Sequence, residues 1–193
     1  DVNIIAVGLT PGNTYYLSVD NKDRNRQGTF TICMSDQPGF DFYEGAEDVT
    51  SLINSCSVDS VYSNVGATSD KNSASCWDVN GSDPDYNVWF KFTAPASGDI
   101  TATIDVGAEK GTAKALNVAI WDNDGTTELS CNERYVGTDD VFTSATGLTP
   151  GNTYYISVDT KGSSNTGNFT LCLSDQLSND LFEGATDITS AFA

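Results

Sequence analysis

Residues 147–155 read GLTPGNTYY, and residues 8–16 read GLTPGNTYY as well. Such an identity, at a shift of 139 positions, makes the chain repetitive, and an internal repeat has to be read before any other signal. At that shift Asp20 meets Asp159, Lys22 meets Lys161, Phe30 meets Phe169, and Cys33 meets Cys172. Ser35-Asp36-Gln37 meets Ser174-Asp175-Gln176, and Glu44-Gly45-Ala46 meets Glu183-Gly184-Ala185. Where 1–54 overlaps 140–193, 30 of the 54 positions are identical. A period of this length is that of a whole domain rather than a solenoid unit, so the expected organisation is a string of beads. Residues 1–43 are expected to be the C-terminal strands of a preceding repeat with its linker. Residues 44–182 are then one complete repeat with its linker, and 183–193 the start of the next.

Within the complete repeat the same stretch also sets the local structure. Pro150-Gly151 suits the centre of a type II turn, since proline presets φ at the first central position and glycine accepts positive φ at the second. Behind it TYYISVD (153–159) alternates like a strand. So do YNVWFKFTA (86–94), DITATIDV (99–106), LNVAIWD (116–122), VFTSA (141–145) and NFTLCLS (168–174), with Gly, Pro and Asp-Gly between them. Six or more short strands and no helical stripe predict an all-β fold, an antiparallel jelly-roll-like β-sandwich repeated in tandem. Alternation places Val88, Phe90 and Phe92 on one face, with Ile100, Ala102 and Ile104 following the same period. Phe169, Leu171 and Leu173 share a face from which Cys172 points away. Trp89 and Trp121 are assigned to sheet packing or contact between beads rather than to ligand binding.

Composition narrows the function. The chain has 193 residues, with 27 acidic against 9 basic side chains, a net charge of −18 and no histidine. Such a surface repels nucleic acid. Without an imidazole there is no Ser-His-Asp triad, no Cys-His pair and no His-ligated metal. Paired carboxylates of a glycoside hydrolase are formally possible but uninformative among 27 acidic residues. No apolar run is long enough for a spanning helix, so this segment is not expected to enter a membrane, and Asp1-Val2-Asn3 does not open a signal peptide.

Five cysteines become four per period, because Cys33 and Cys172 are one site in successive repeats. Cys56, Cys76, Cys131 and Cys172 allow three pairings. The favoured one joins Cys56 to Cys76 and Cys131 to Cys172, in an oxidising, exported location. Asp122, Asn123, Asp124 and Glu128, spaced on a tight turn, are candidate Ca²⁺ ligands, with Asp139 and Asp140 and the group Asp78, Asp83 and Asp85 as further candidates. Phe42 and Tyr43 at one junction, and Leu181 and Phe182 at the next, are expected to dock between repeats.

The stretches YNVWFKFTAP (86–95) and GNTYYISV (151–158) resemble the bacterial pre-peptidase C-terminal domain. They are similar in particular to its cysteine-containing copies in very large secreted surface proteins of gliding Bacteroidota. The resemblance covers about 56–174. It implies a jelly-roll-like sandwich, a non-catalytic role and export to the cell surface by the type IX route. Many relatives carry an Asp-Asp pair directly after a Cys-Asn step, whereas here Cys131-Asn132 is followed by Glu133-Arg134. In the same bacteria Asp-Ser/Thr before an aliphatic residue resembles an O-glycosylation signal, which Asp59-Ser60-Val61 fits at Ser60.

The resulting expectation is a structural repeat of a long extracellular adhesin or surface filament, acting as a disulfide-stapled spacer whose partners are neighbouring repeats of the same polypeptide. The alternative is a carbohydrate-binding module that meets surface glycans through Tyr62, Trp77, Tyr86 or Tyr135.

Overall fold

The computed structural model describes residues 6, 9–10, 12–22, 25, 27–32, 34, 38–77, 84–134 and 137–175. They belong to two compact units, Asp1–Met34 and Ser35–Ala193. Cys33, Asp78, Asp83, Tyr135, Leu181 and Phe182, singled out above, lie outside the described residues.

The second unit is a sandwich of two sheets. Its strands are β1 (Glu47–Asp48), β2 (Ser55–Cys56), β3 (Tyr62–Ser63), β4 (Val88–Thr93) and β5 (Ile100–Asp105). They continue with β6 (Leu116–Trp121), β7 (Glu128–Glu133), β8 (Val141–Ala145), β9 (Thr153–Thr160) and β10 (Asn168–Ser174). One sheet runs β1-β4-β9-β6-β7 and the other β3-β10-β5-β8. Between the named strands pairing is antiparallel except where β1 lies parallel to β4 at the edge, and an isolated parallel bridge joins Ile53 to Leu173.

The six expected strands form within a residue or two of their expected bounds because alternation gives each an apolar face to bury. Val88, Phe90 and Phe92 of β4 and Ile156 and Val158 of β9 meet Ile100, Ala102 and Ile104 of β5 and Phe169, Leu171 and Leu173 of β10 across the interior. Every one of these is almost wholly buried. Strand β7 (ELSCNE) is absent from the expected set because it is an edge strand with no apolar face, paired only to β6.

The Pro150-Gly151 turn takes the expected geometry. Asn152 N donates to Thr149 O at 3.1 Å, Gly151 has φ +84°, and Thr149 N donates to the Tyr154 hydroxyl at 3.0 Å. The first unit repeats it: Asn13 N donates to Thr10 O at 3.2 Å, Gly12 has φ +82°, and Thr10 N donates to the Tyr15 hydroxyl at 2.9 Å. The two copies of the stretch therefore share the turn's hydrogen bonds and its glycine conformation.

The four cysteines of the second unit are bonded, in a different pairing from the expected one. Cys56 joins Cys172, with Cα atoms 4.0 Å apart, and Cys76 joins Cys131 at 6.1 Å. The cause is topological: the segment holding β2 lies along β10, with Asn54 N donating to Leu173 O and Ser57 N to Leu171 O, each at 2.8 Å. Cys56 thereby faces Cys172, far away in sequence.

Candidate interaction surfaces

The outward face of the β1-β4-β9-β6-β7 sheet carries Trp89, Ala119, Trp121 and Tyr155, an apolar surface that water would otherwise meet. Two straps cover it. The first, residues 38–46, begins before the expected boundary at 44: Phe40 enters the main core against Phe90 with ring centroids 5.1 Å apart, and Trp89 N donates to Phe40 O. Asp41 is buried, accepting from Thr68 N at 2.7 Å and Thr68 Oγ1 at 2.8 Å, and burial holds its carboxyl above the usual range. Tyr43 lies on Tyr155 at 4.3 Å and meets Trp89 edge-on at 5.6 Å; its hydroxyl donates to Asn123 O, and burial raises its pKa. Phe42 is exposed. Of the junction pair expected at 42–43, Tyr43 therefore packs within its own module.

The second strap, residues 70–77, is pinned by the Cys76–Cys131 bond and by Glu128, which accepts from Ser75 N at 2.5 Å and Ser75 Oγ at 2.8 Å. Trp77 is buried beneath it, its indole N–H reaching Val118 O. Trp89 and Trp121 likewise serve packing: Trp121 Nε1 donates to Ser157 Oγ at 2.7 Å, while Trp89 Nε1 has no hydrogen-bond partner among the described residues.

The acidic turn is occupied by its own backbone. Asp124 accepts from Thr126 N, Thr127 N and Thr127 Oγ1 at 2.7–2.8 Å, which holds its carboxyl well below the usual carboxylate range. Asp122 accepts from Asn123 N, and Glu128 is engaged at Ser75. Asp140 is partly buried, which alone would raise its pKa, but Val106 N and Gly107 N donate to it and bring it below the usual value. Asp139 is exposed, 3.9 Å from Arg134. Asp85 accepts from Gly162 N at 2.9 Å. Among the described residues, no three His, Cys, Asp or Glu side chains come together as a metal site.

Ser60 sits at φ +56°, its hydroxyl donating to Glu109 O at 3.2 Å, between exposed Val58 and Val61. Tyr62 is buried in the core and its phenol is pushed up to about 12 by burial and then by Glu47; Tyr86 is half-buried against that core. Tyr62 and Trp77 are therefore not stacking platforms, because strand pairing and the second strap cover them.

Asp159, at the end of β9, is fully buried although it accepts from Tyr86 N at 2.7 Å and Asn117 Nδ2 at 3.3 Å. Burial pushes its carboxyl up to about 6. Composition alone does not find this group; its only sequence signal is the recurrence of Asp20 at Asp159.

A family model described as galactose-binding-domain-like and associated with type IX secretion matches residues 45–172, well over half of the chain. It agrees with the type IX context expected from residues 86–95 and 151–158, though it does not name the pre-peptidase C-terminal repeat. No curated protein matches the sequence. With two disulfides and this association, the unit is a module of a secreted, extracellular protein. No helix among the described residues is long and apolar enough to cross a membrane.

Proposed function

The chain belongs to the galactose-binding-domain-like family associated with type IX secretion, and from that premise we propose that its module is a structural spacer repeated along an extracellular adhesin or surface filament. The observation that carries this reading is the 139-residue recurrence, supported by the matching hydrogen bonds and glycine conformations of its two turns. Two further features suit load bearing. Strap 38–46 is stitched into the second unit, and the Cys56–Cys172 bond ties β2 to β10.

Electron microscopy of the intact secreted protein tests this. A row of similar globules is expected, and a protein with a single such module would refute the spacer role. A glycan-binding role is the second reading, favoured by the family's galactose-binding-like description. Saturable binding of the 193-residue chain to a glycan array would support it.

A further inference from the structure

The first unit leaves a specific set of apolar side chains uncovered. Tyr15, Leu17 and Val19 are about half exposed, and Phe30, Ile32 and Met34 are exposed by 65%, 52% and 86%. Their equivalents one period later are Tyr154, Ile156, Val158, Phe169, Leu171 and Leu173, none more than 7% exposed. All six pairs are apolar, and three are identical. An alternating row of this kind on both segments has the pattern of a sandwich face, here exposed.

The complete module shows what covers such a face. Ile156 lies between Phe90 of β4 and Ile120 of β6, and Val158 between Val88 and Val118. Phe169 packs on Tyr62 and Phe90, with ring centroids 6.0 and 6.1 Å away, while Leu171 pairs with Ile104 of β5. The polar positions recur too, since Asp20 corresponds to Asp159, which takes the Tyr86 amide. We infer that the row of Tyr15, Leu17, Val19, Phe30, Ile32 and Met34 is an interaction surface for the strands of a further copy of the module, equivalent to residues 38–145 of this chain, and fills the places of the β9 and β10 core residues there. This rests on the repeat reading for the identity of the partner.

The test mixes the 193-residue chain with a 38–147 fragment of the same sequence in a glutathione redox buffer. Oxidised glutathione takes the two electrons as each pair of thiols joins. Cys33 corresponds to Cys172, so the expected product is a one-to-one adduct with Cys33 bonded to Cys56 of the fragment, as Cys172 is to Cys56 here. Leu17→Asp in the chain is expected to abolish it. Random bonding of Cys33 among the fragment's cysteines, or no adduct, would overturn the proposal.

If the fragment aggregates, residues 38–145 are fused directly ahead of residue 7, the register set by the period. Amides of residues 15–19 and 30–34 are then expected to gain at least a hundredfold protection from hydrogen exchange. Unchanged exchange would overturn the inference. The adduct in a protein with a single module would sink the spacer role and leave this surface standing; a many-module protein without the adduct would do the reverse.

Discussion

The two disulfides are nested, since Cys76–Cys131 lies inside the loop closed by Cys56–Cys172, and nesting has a mechanical signature. When the module is pulled from its ends, the outer bond shields the 116-residue stretch between its cysteines from the load. Opening it by Cys56→Ser/Cys172→Ser leaves the inner 55-residue loop closed. At about 3.5 Å per extended residue, the double variant lengthens the fully unfolded chain by about 210 Å relative to the oxidised protein, and complete reduction by about 400 Å. The outer closure also stabilises the fold by about 5 kcal/mol on a chain-entropy account, so the variant unfolds at lower denaturant. Single-molecule force spectroscopy of the 193-residue chain between reporter domains reads both increments. The single variant Cys56→Ser separates the pairings: it releases about 210 Å from the nested arrangement, as the double variant does, but only about 70 Å under the rival pairing of Cys56 with Cys76 and Cys131 with Cys172, which closes two separate loops. A step of that size, or no lengthening on reduction, would refute the nested arrangement and the load-shielding argument built on it.

Other expectations concern single groups. Asp159 titrates at about 6 in the folded chain against 3.8 as its ordinary value, so between those values the folded state holds a proton the unfolded state has lost. Its contribution is full below the unfolded value and is lost as pH rises through 6. Relative to Asp159→Asn, the wild type is expected to lose about 3 kcal/mol between pH 3.5 and 7.5, with Asp85, the Tyr86 amide and Asn117 as the facing groups; a flat difference in urea melts would contradict this. Gly98 has φ +74°, and a Cβ there would lie 2.6 Å from Leu148 O, so Gly98→Ala is expected to lower stability by about 2 kcal/mol or more in the same melts. Trp77→Ala empties the space under the second strap and is expected to cost about 3–5 kcal/mol in thermal unfolding. A near-neutral result would reopen Trp77 as a binding residue.

What could be read in advance is what is encoded within a few residues. The GLTPGNTYY turn forms the same bonds in both units although its first tyrosine is buried in one and half exposed in the other, so those bonds are set by the local Thr, Gly, Asn and Tyr. The alternation of residues 88–93 and 168–174 likewise named both a strand and its buried face. The cysteine pairing was not legible, because it follows from β2 running beside β10, and no local pattern specifies a neighbour 116 positions away. Nor was the cover on the outward face: Trp89 and Trp121 read correctly as packing residues, but what they pack under comes from Tyr43 and Trp77, on irregular segments with no period to detect. The same asymmetry explains the first unit. Its turn is coded locally, whereas the partners inferred above for its exposed row are strands of β4 to β6 type. On the repeat reading, the turn is carried by each copy of the GLTPGNTYY stretch and the stability by a full set of paired strands, and the exposed row from Tyr15 to Met34 is where the two come apart.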